Sequence, residues 1–204
     1  MTTDCHVSIS LDGFLAGPDQ SLDAPLGRGG LEVHRWHLGD DPDRHPADAA
    51  GSADLLRPRG AYVMGRNMYG PVRGPWDSFG REWRGWWGEE PPYHAPVFVL
   101  THHPNDDVVT SGGTTFHFVT GGFDAAYARA REAAAGGDVR IAGGAATIRQ
   151  AFAAGVLDEV TLDLAPVLLG SGERLFDGVA DPGLVPVEVT TSPLATHVRY
   201  RVRR

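Results

Sequence analysis

The chain has 204 residues, enough for one domain with a proper core, in a composition ordinary for a soluble globular protein. Its net charge of -8, with no basic block, argues against a broad nucleic-acid surface. All 18 basic residues are arginines, which removes Schiff-base and P-loop lysine chemistry, and the single cysteine, Cys5, excludes an internal disulfide.

Residues 5–10 predict a first strand in which Val7 and Ile9 alternate with polar neighbours, and 11–19 make a turn-rich exit. Residues 18–60, rich in Gly, Pro, Asp and His, predict a long excursion with short helices around 31–38 and 47–57. A loop of that length in a compact domain is often functional. A short buried strand at 61–64 runs into Gly65-Arg66. Residues 71–95 form a second irregular region carrying Trp76, Trp83, Trp86 and Trp87. Strands at 96–100 and 115–119 follow. An Ala-rich helix over 123–135, with Phe123, Ala126, Tyr127 and Ala130 on one face, stops at Gly136-Gly137. Then come a strand at 139–142, a helix at 145–154 stopped by Gly155, a strand at 157–167 and an antiparallel hairpin, 185–192 and 195–203, around Pro193. Strand–helix–strand units with a closing hairpin imply one α/β domain over 1–204, a mixed sheet with helices on its faces.

The most informative stretch is Ile141-Ala142-Gly143-Gly144-Ala145-Ala146-Thr147. Paired glycines where a strand meets a helix let backbone N–H groups approach an anion closely, and the helix dipole favours the negative charge. The spacing is not that of a Rossmann fingerprint, and judged locally a plain strand-to-helix turn is the favoured reading. No nucleophile elbow, P-loop or zinc pattern is present. The start of the chain lacks the basic and apolar regions of a signal peptide, and no apolar run approaches the roughly 20 residues that span a bilayer. The expectation is a cytoplasmic protein with no membrane partner and no metal.

Several segments, in order, extend the pattern over nearly the whole chain. They are Ser10-Leu11-Asp12-Gly13-Phe14-Leu15-Ala16-Gly17, Val63-Met64-Gly65-Arg66, Val97-Phe98-Val99-Leu100-Thr101, Ile141-Ala142-Gly143-Gly144-Ala145, Ala154-Gly155-Val156-Leu157-Asp158-Glu159 and Ala165-Pro166-Val167-Leu168-Leu169-Gly170. Together they resemble the dihydrofolate reductase-like superfamily. The closer likeness is to the family of the C-terminal reductase domain of the bifunctional riboflavin deaminase-reductase (RibD). The resemblance implies a dihydrofolate reductase-like three-layer α-β-α fold with a central, mixed, mostly parallel sheet. It also implies NADPH bound across the C-terminal ends of the strands, a small-molecule substrate and a homodimer. Two positions depart from the riboflavin-pathway reductases: Phe14 stands where they carry a basic residue, and Ala142 where they carry Glu. A site built for a polar substrate loses much without its hydrogen-bonding partner, so the chain looks more like a stand-alone relative.

On this resemblance Gly143, Gly144, Ala145, Ala146 and Thr147 follow the cofactor pyrophosphate. Gly65 and Arg66 contact the dinucleotide phosphates, with Asn67 able to cap the following turn. Thr101 and His102 lie near the adenosine ribose, where His102 is a weak substitute for a permanent cation, so that NADH is an alternative to NADPH. Asp12 lies where nicotinamide and substrate meet; it either orients substrate or serves only the turn. Glu32 and His34, in the first excursion, face the substrate, and either can supply a proton. Ala142 borders the same space. His34 and His37, or His102 and His103, are more simply solvated than metal-binding. The tryptophans read first as core or interface anchors.

Two functions remain open on these residues. One is an NADPH-dependent reductase of a small planar unsaturated substrate. The other is a non-catalytic binding protein on the same fold.

Overall fold

In the computed structural model, residues 1–39, 41–79 and 83–203 are described; residues 80–82 of the second irregular region lie outside them. The elements are β1 (Thr3–Ser10), β2 (Phe14–Ala16), a 3-10 turn (Gly30–His34), α1 (Pro46–Leu55), β3 (Ala61–Gly65), α2 (Arg66–Tyr69), a second 3-10 turn (Trp76–Phe79), β4 (Pro96–Leu100), β5 (Val108–Val109), β6 (Thr115–Val119), α3 (Gly122–Ala133), β7 (Val139–Gly143), α4 (Ala145–Ala153), β8 (Glu159–Ala165), β9 (Glu173–Arg174), β10 (Leu184–Thr191) and β11 (Thr196–Val202).

The main sheet runs β10-β11-β8-β1-β7-β3-β4-β6-β5. The six strands from β8 to β6 are parallel, and the hairpin β10–β11 and the short β5 are antiparallel to their neighbours. The parallel strands therefore end together. Ser10 is opposite Ala165, Met64 opposite Gly143 and Gly65 opposite Leu100. In an open α/β sheet that shared C-terminal edge is where ligands bind.

Alternation along the strands sends two sets of side chains to two covers. Val7, Ile9, Val63, Ile141 and Leu162 pack with Ala126, Ala130, Ile148 and Ala151 of α3 and α4. Tyr62, Met64, Val97, Val99 and Phe116 face the other way, against Tyr69 and the tryptophan-rich region. That region is built on stacked rings, with Trp76 on Phe79 and Phe79 on Trp83. Cys5 is a buried member of the first layer, and burial pushes its thiol pKa up, which keeps it unreactive.

Three features differ from the sequence reading. The helix expected over 31–38 is a single 3-10 turn, because Trp36 is drawn into the interior, where its Nε1 donates to Ser8 Oγ at 2.9 Å. The turn-rich exit after β1 contains β2, which pairs with β9 outside the main sheet. That close pairing needs Gly172: a Cβ there would lie 2.1 Å from Ala16 O, at φ +127. The third is β5, two residues added at the sheet edge.

The polar residues of β1 do not face solvent; all eight positions of the strand are buried. Asp4 accepts a bidentate pair from Arg140, at 3.1 and 2.7 Å, and a second guanidinium from Arg59. Arg140 also donates to the carbonyls of Asp54 and Leu55 at the end of α1, where a cation is favoured. Next along the strand, His6 Nε2 lies 3.0 Å from Asp163 Oδ2, and His197 Nδ1 lies 2.8 Å from Asp163 Oδ1. The outer nitrogens reach α1: His197 Nε2 is 2.9 Å from Asp48, and His6 Nδ1 forms an ion-pair contact with Asp54 at 3.1 Å. Three carboxylates and two imidazoles thus form one line that fastens α1 to β1, β8 and β11.

Burial opposes charge on both histidines, yet their carboxylate neighbours outweigh it and hold both pKa values above the ordinary one. Burial likewise opposes ionisation of Asp163, and the hydrogen bonds from His197 and His6 outweigh it, lowering its pKa. Exposed pairs such as Arg28–Asp19 contribute about 0–1 kcal/mol, whereas removing one partner of a buried pair costs about 3–5 kcal/mol. Asp163→Asn is therefore expected to lose stability of that larger order in urea unfolding. In the wild type the histidine contribution is complete below the ordinary value of 6.5 and is lost as pH rises through the raised values. That alkaline loss should be much shallower in Asp163→Asn, which a series of urea midpoints between pH 6 and 9 would measure.

Candidate functional site

The exits of β3 and β7 touch because Gly65 has no side chain. A Cβ on Gly65 would come within 2.6 Å of Thr147 Oγ1 and 3.4 Å of Gly144 N. Two segments far apart in sequence, Gly65-Arg66 and Gly143–Thr147, thereby form one corner of the C-terminal edge. Gly144 is the N-cap of α4, and no side chain caps that helix end. A Cβ built on Gly144 meets nothing within 4 Å, so open space lies in front of the turn. Ala146 is exposed beside it, while Ala145 and Thr147 are buried.

Arg66 is half-buried at this corner. Its two terminal nitrogens donate to Gly70 O at 3.1 Å and Gly74 O at 3.0 Å, and its plane lies over Trp76 at 3.9 Å. Its Nε is buried with no hydrogen-bond partner among the described residues. Burial lowers its pKa from the ordinary value, although the group remains cationic. No carboxylate among the described residues pairs with it. The corner thus combines an uncompensated cation, an uncapped helix N-terminus and room for a ligand, a combination suited to a phosphate.

The neighbouring residues are arranged as follows. Asn67, with its amide oxygen turned toward Arg73, accepts from both terminal nitrogens of that residue at 3.1 and 2.9 Å, so it holds a loop arginine rather than capping a turn. At the end of β4 the Thr101 hydroxyl donates to His103 O and accepts from His103 N, shaping its own turn. His102 is exposed there.

On the far side of β7, at the exit of β1, Asp12 is saturated. Its Oδ1 accepts from Ser10 Oγ at 2.6 Å and Leu169 N at 3.1 Å, and its Oδ2 from Gly170 N at 2.7 Å. The Ser10 hydroxyl, followed by the Gly170 and Leu169 amides, pulls its pKa down to about 2. Asp12 is an anion at every ordinary pH and ties the β1 exit to the loop after β8. His34 is mostly enclosed. Its Nδ1 lies 3.0 Å from His37 Nε2, and its Nε2 is buried with no hydrogen-bond partner among the described residues. Burial lowers the pKa of both, His37 to about 4, so both imidazoles are neutral at pH 7. Glu32 is exposed and paired with Arg35 at 3.1 Å. Ala142 is half-buried, packed against the layer that holds Met64 and Tyr69.

Sequence reasoning missed Arg174 and Arg73. The guanidinium of Arg174 lies 4.3 Å above the Phe14 ring and donates to Asp12 O at 3.0 Å. A cation supplied from β9 thus lies over Phe14; only the β2–β9 pairing reveals it. Among the described residues, no group of three or more His, Cys, Asp or Glu side chains is placed to hold a metal. No described helix is long and apolar enough to cross a membrane.

With this geometry in place, the fold is that of the dihydrofolate reductase-like class, a mixed and mostly parallel sheet closed by a C-terminal hairpin. Residues 4–195 match the model of the RibD C-terminal domain, and the chain belongs to that family. The solved structures that share the fold include three reductase-type or riboflavin-related proteins. One, from Shewanella sp. PV-4, is provisionally attributed to riboflavin biosynthesis: TM-score 0.67, 24% identity, 100% of both chains covered. A pyrimidine reductase-like protein from Corynebacterium diphtheriae gives 0.54 and 20%, covering 100% of this chain and 92% of that one. The diaminohydroxyphosphoribosylaminopyrimidine deaminase/5-amino-6-(5-phosphoribosylamino)uracil reductase from Thermotoga maritima gives 0.57 and 14%; the match covers 99% of this chain but 56% of that one. No curated protein matches the chain.

The saturated Asp12 carboxylate leads to a direct expectation. Asp12→Asn removes an acceptor from Ser10, Leu169 or Gly170, so hydrogen exchange at the Leu169 and Gly170 amides should accelerate selectively. In the wild type their protection should persist as pH falls toward about 2, because a lowered carboxyl pKa loses its contribution only there.

Proposed function

We propose that this protein is an NADPH-dependent reductase of a small, planar, unsaturated substrate of pteridine, pyrimidine or related heteroaromatic type, working as a single domain and as a homodimer. The observation that carries the reading is the half-buried Arg66, without a carboxylate partner among the described residues, beside the uncapped and open start of α4. Family membership and the reductases among the similar structures support it.

Gly65, Arg66, Gly143, Gly144, Ala145, Ala146 and Thr147 would hold the diphosphate, with Asn67 in the supporting loop. Thr101 and His102 would stand beside the adenosine ribose; an exposed histidine there, in place of a permanent cation, leaves NADH as a weaker alternative. When bound, the reduced nicotinamide supplies hydride; the protein supplies position and exclusion of water. Asp12, His34 and Ala142 would flank the reacting end, with Glu32 at its rim. Of these, Asp12 stays anionic and orients. The unpartnered Nε2 of the neutral His34 is the atom at which a proton would be held or passed. The outer strand β10 leaves Val185, Val187 and Val189 exposed, an apolar strip suited to a second copy.

Calorimetric titration of the protein with NADPH and NADH tests this reading. Saturable binding is expected, tighter for NADPH. Ala146→Glu places a negative charge in the first turn of α4, where the helix dipole favours it, so thermal stability should hold while coenzyme affinity falls at least about tenfold. Equal affinity in wild type and variant would remove the diphosphate from this corner. Coenzyme binding without hydride consumption across heteroaromatic substrates would make the protein a binder rather than an enzyme.

A further inference from the structure

Arg66, the guanidinium that the sequence singles out, also shapes its own loop. By holding the carbonyls of Gly70 and Gly74 it folds residues 70–74 back over the β3 exit. That loop presents a second guanidinium, Arg73, whose side chain is 70% exposed. Arg73 donates to Glu173 Oε1 at 2.9 Å while its terminal nitrogens also rest on the Asn67 amide oxygen.

The place of this contact follows from the strand order. β7 lies between β1 and β3. Asn67 and Arg73 come after β3, whereas Glu173 is on β9, whose partner β2 follows β1. The pair therefore joins elements on the two sides of the β7 exit, where Gly143 and Gly144 turn into α4. Two further contacts hold its anchors against the same turn. Met68 Sδ lies 3.3 Å from where a Gly143 Cβ would be, and Arg149 of α4 donates to Arg174 O at 2.6 Å. An exposed pair of this kind is weakly held in water, so a stronger anion can exchange for the carboxylate at small cost. A phosphate is such an anion, since its oxygens accept a guanidinium fork with full charge assistance.

We propose that Arg73 is a coenzyme-binding residue that changes partner: it rests on Glu173 across the diphosphate corner in the free protein and moves to a phosphate oxygen of the dinucleotide when that corner is filled. This rests on the coenzyme reading above and adds to it an affinity-setting carboxylate, Glu173, that competes with the ligand for one arginine.

Two single variants separate this from a merely structural tie, because a tie is broken equally from either end. Arg73→Ala and Glu173→Gln are examined with NADPH by calorimetry and by stopped-flow association at two salt concentrations, with thermal midpoints as the folding control. Arg73→Ala should weaken NADPH about tenfold and flatten the salt dependence of association. Glu173→Gln should act in the opposite direction, tightening NADPH roughly threefold. Wild-type affinity in both variants, or a shift of both in the same direction, overturns the proposal while leaving the coenzyme reading intact. Absence of NADPH binding by the wild type overturns both.

Discussion

Asp163 carries two imidazoles on one carboxylate, and the architecture above it depends on that arrangement. It has no solvent access, and its neighbours His6 and His197 reach outward to Asp54 and Asp48 of α1. Without this line His6 and Asp163 would be buried with unmet donors and acceptors, which costs about 1–3 kcal/mol for each such group and more for a charged one. With it, α1 and the excursion before it are clamped to the sheet. Trp36 then drops between them onto Ser8, and the 3-10 turn bearing His34 is set beside β2 at the exit of β1. The chemistry proposed for that end of the molecule relies on a network three strands wide.

The candidate site itself is a matter of missing atoms. Gly65 lets the end of β3 lie against Thr147, and Gly144 leaves space before α4. Into that corner the fold places a cation with no carboxylate partner among the described residues. Arg66 rests on two carbonyl oxygens and the face of Trp76, which align its plane. Across the sheet edge the opposite holds, where Asp12 accepts from three donors and remains an anion. One end of the edge is thus positive and waiting, the other negative and satisfied.

The residues differ in how far the chain alone could place them. Helices α3 and α4, the parallel strands and the closing hairpin were legible because each has a local cause: apolar spacing, a glycine stop, a proline between two alternating runs. The Gly143-Gly144 turn and Gly65-Arg66 were legible as separate motifs, and only strand order makes them neighbours. Asp12 was readable as a turn residue, but the donors that fill it come from residues 169 and 170, some 157 positions away. Arg174 and Arg73 gave no local signal at all, since an exposed arginine in a loop looks the same whether it faces water or a ring. The 3-10 turn at Gly30–His34 was read as a longer helix because spacing reports periodicity and not the pull of a buried indole.

By itself, then, the amino-acid order determined the fold class, the family and the elements, because backbone preference, capping and apolar period act over a few residues. Tertiary structure alone decided which polar residues are buried, which charges are answered and which guanidinium is left exposed at the glycine corner. Those outcomes depend on strands that are distant in the chain and adjacent in the sheet, and on the low dielectric they enclose, which no local pattern encodes.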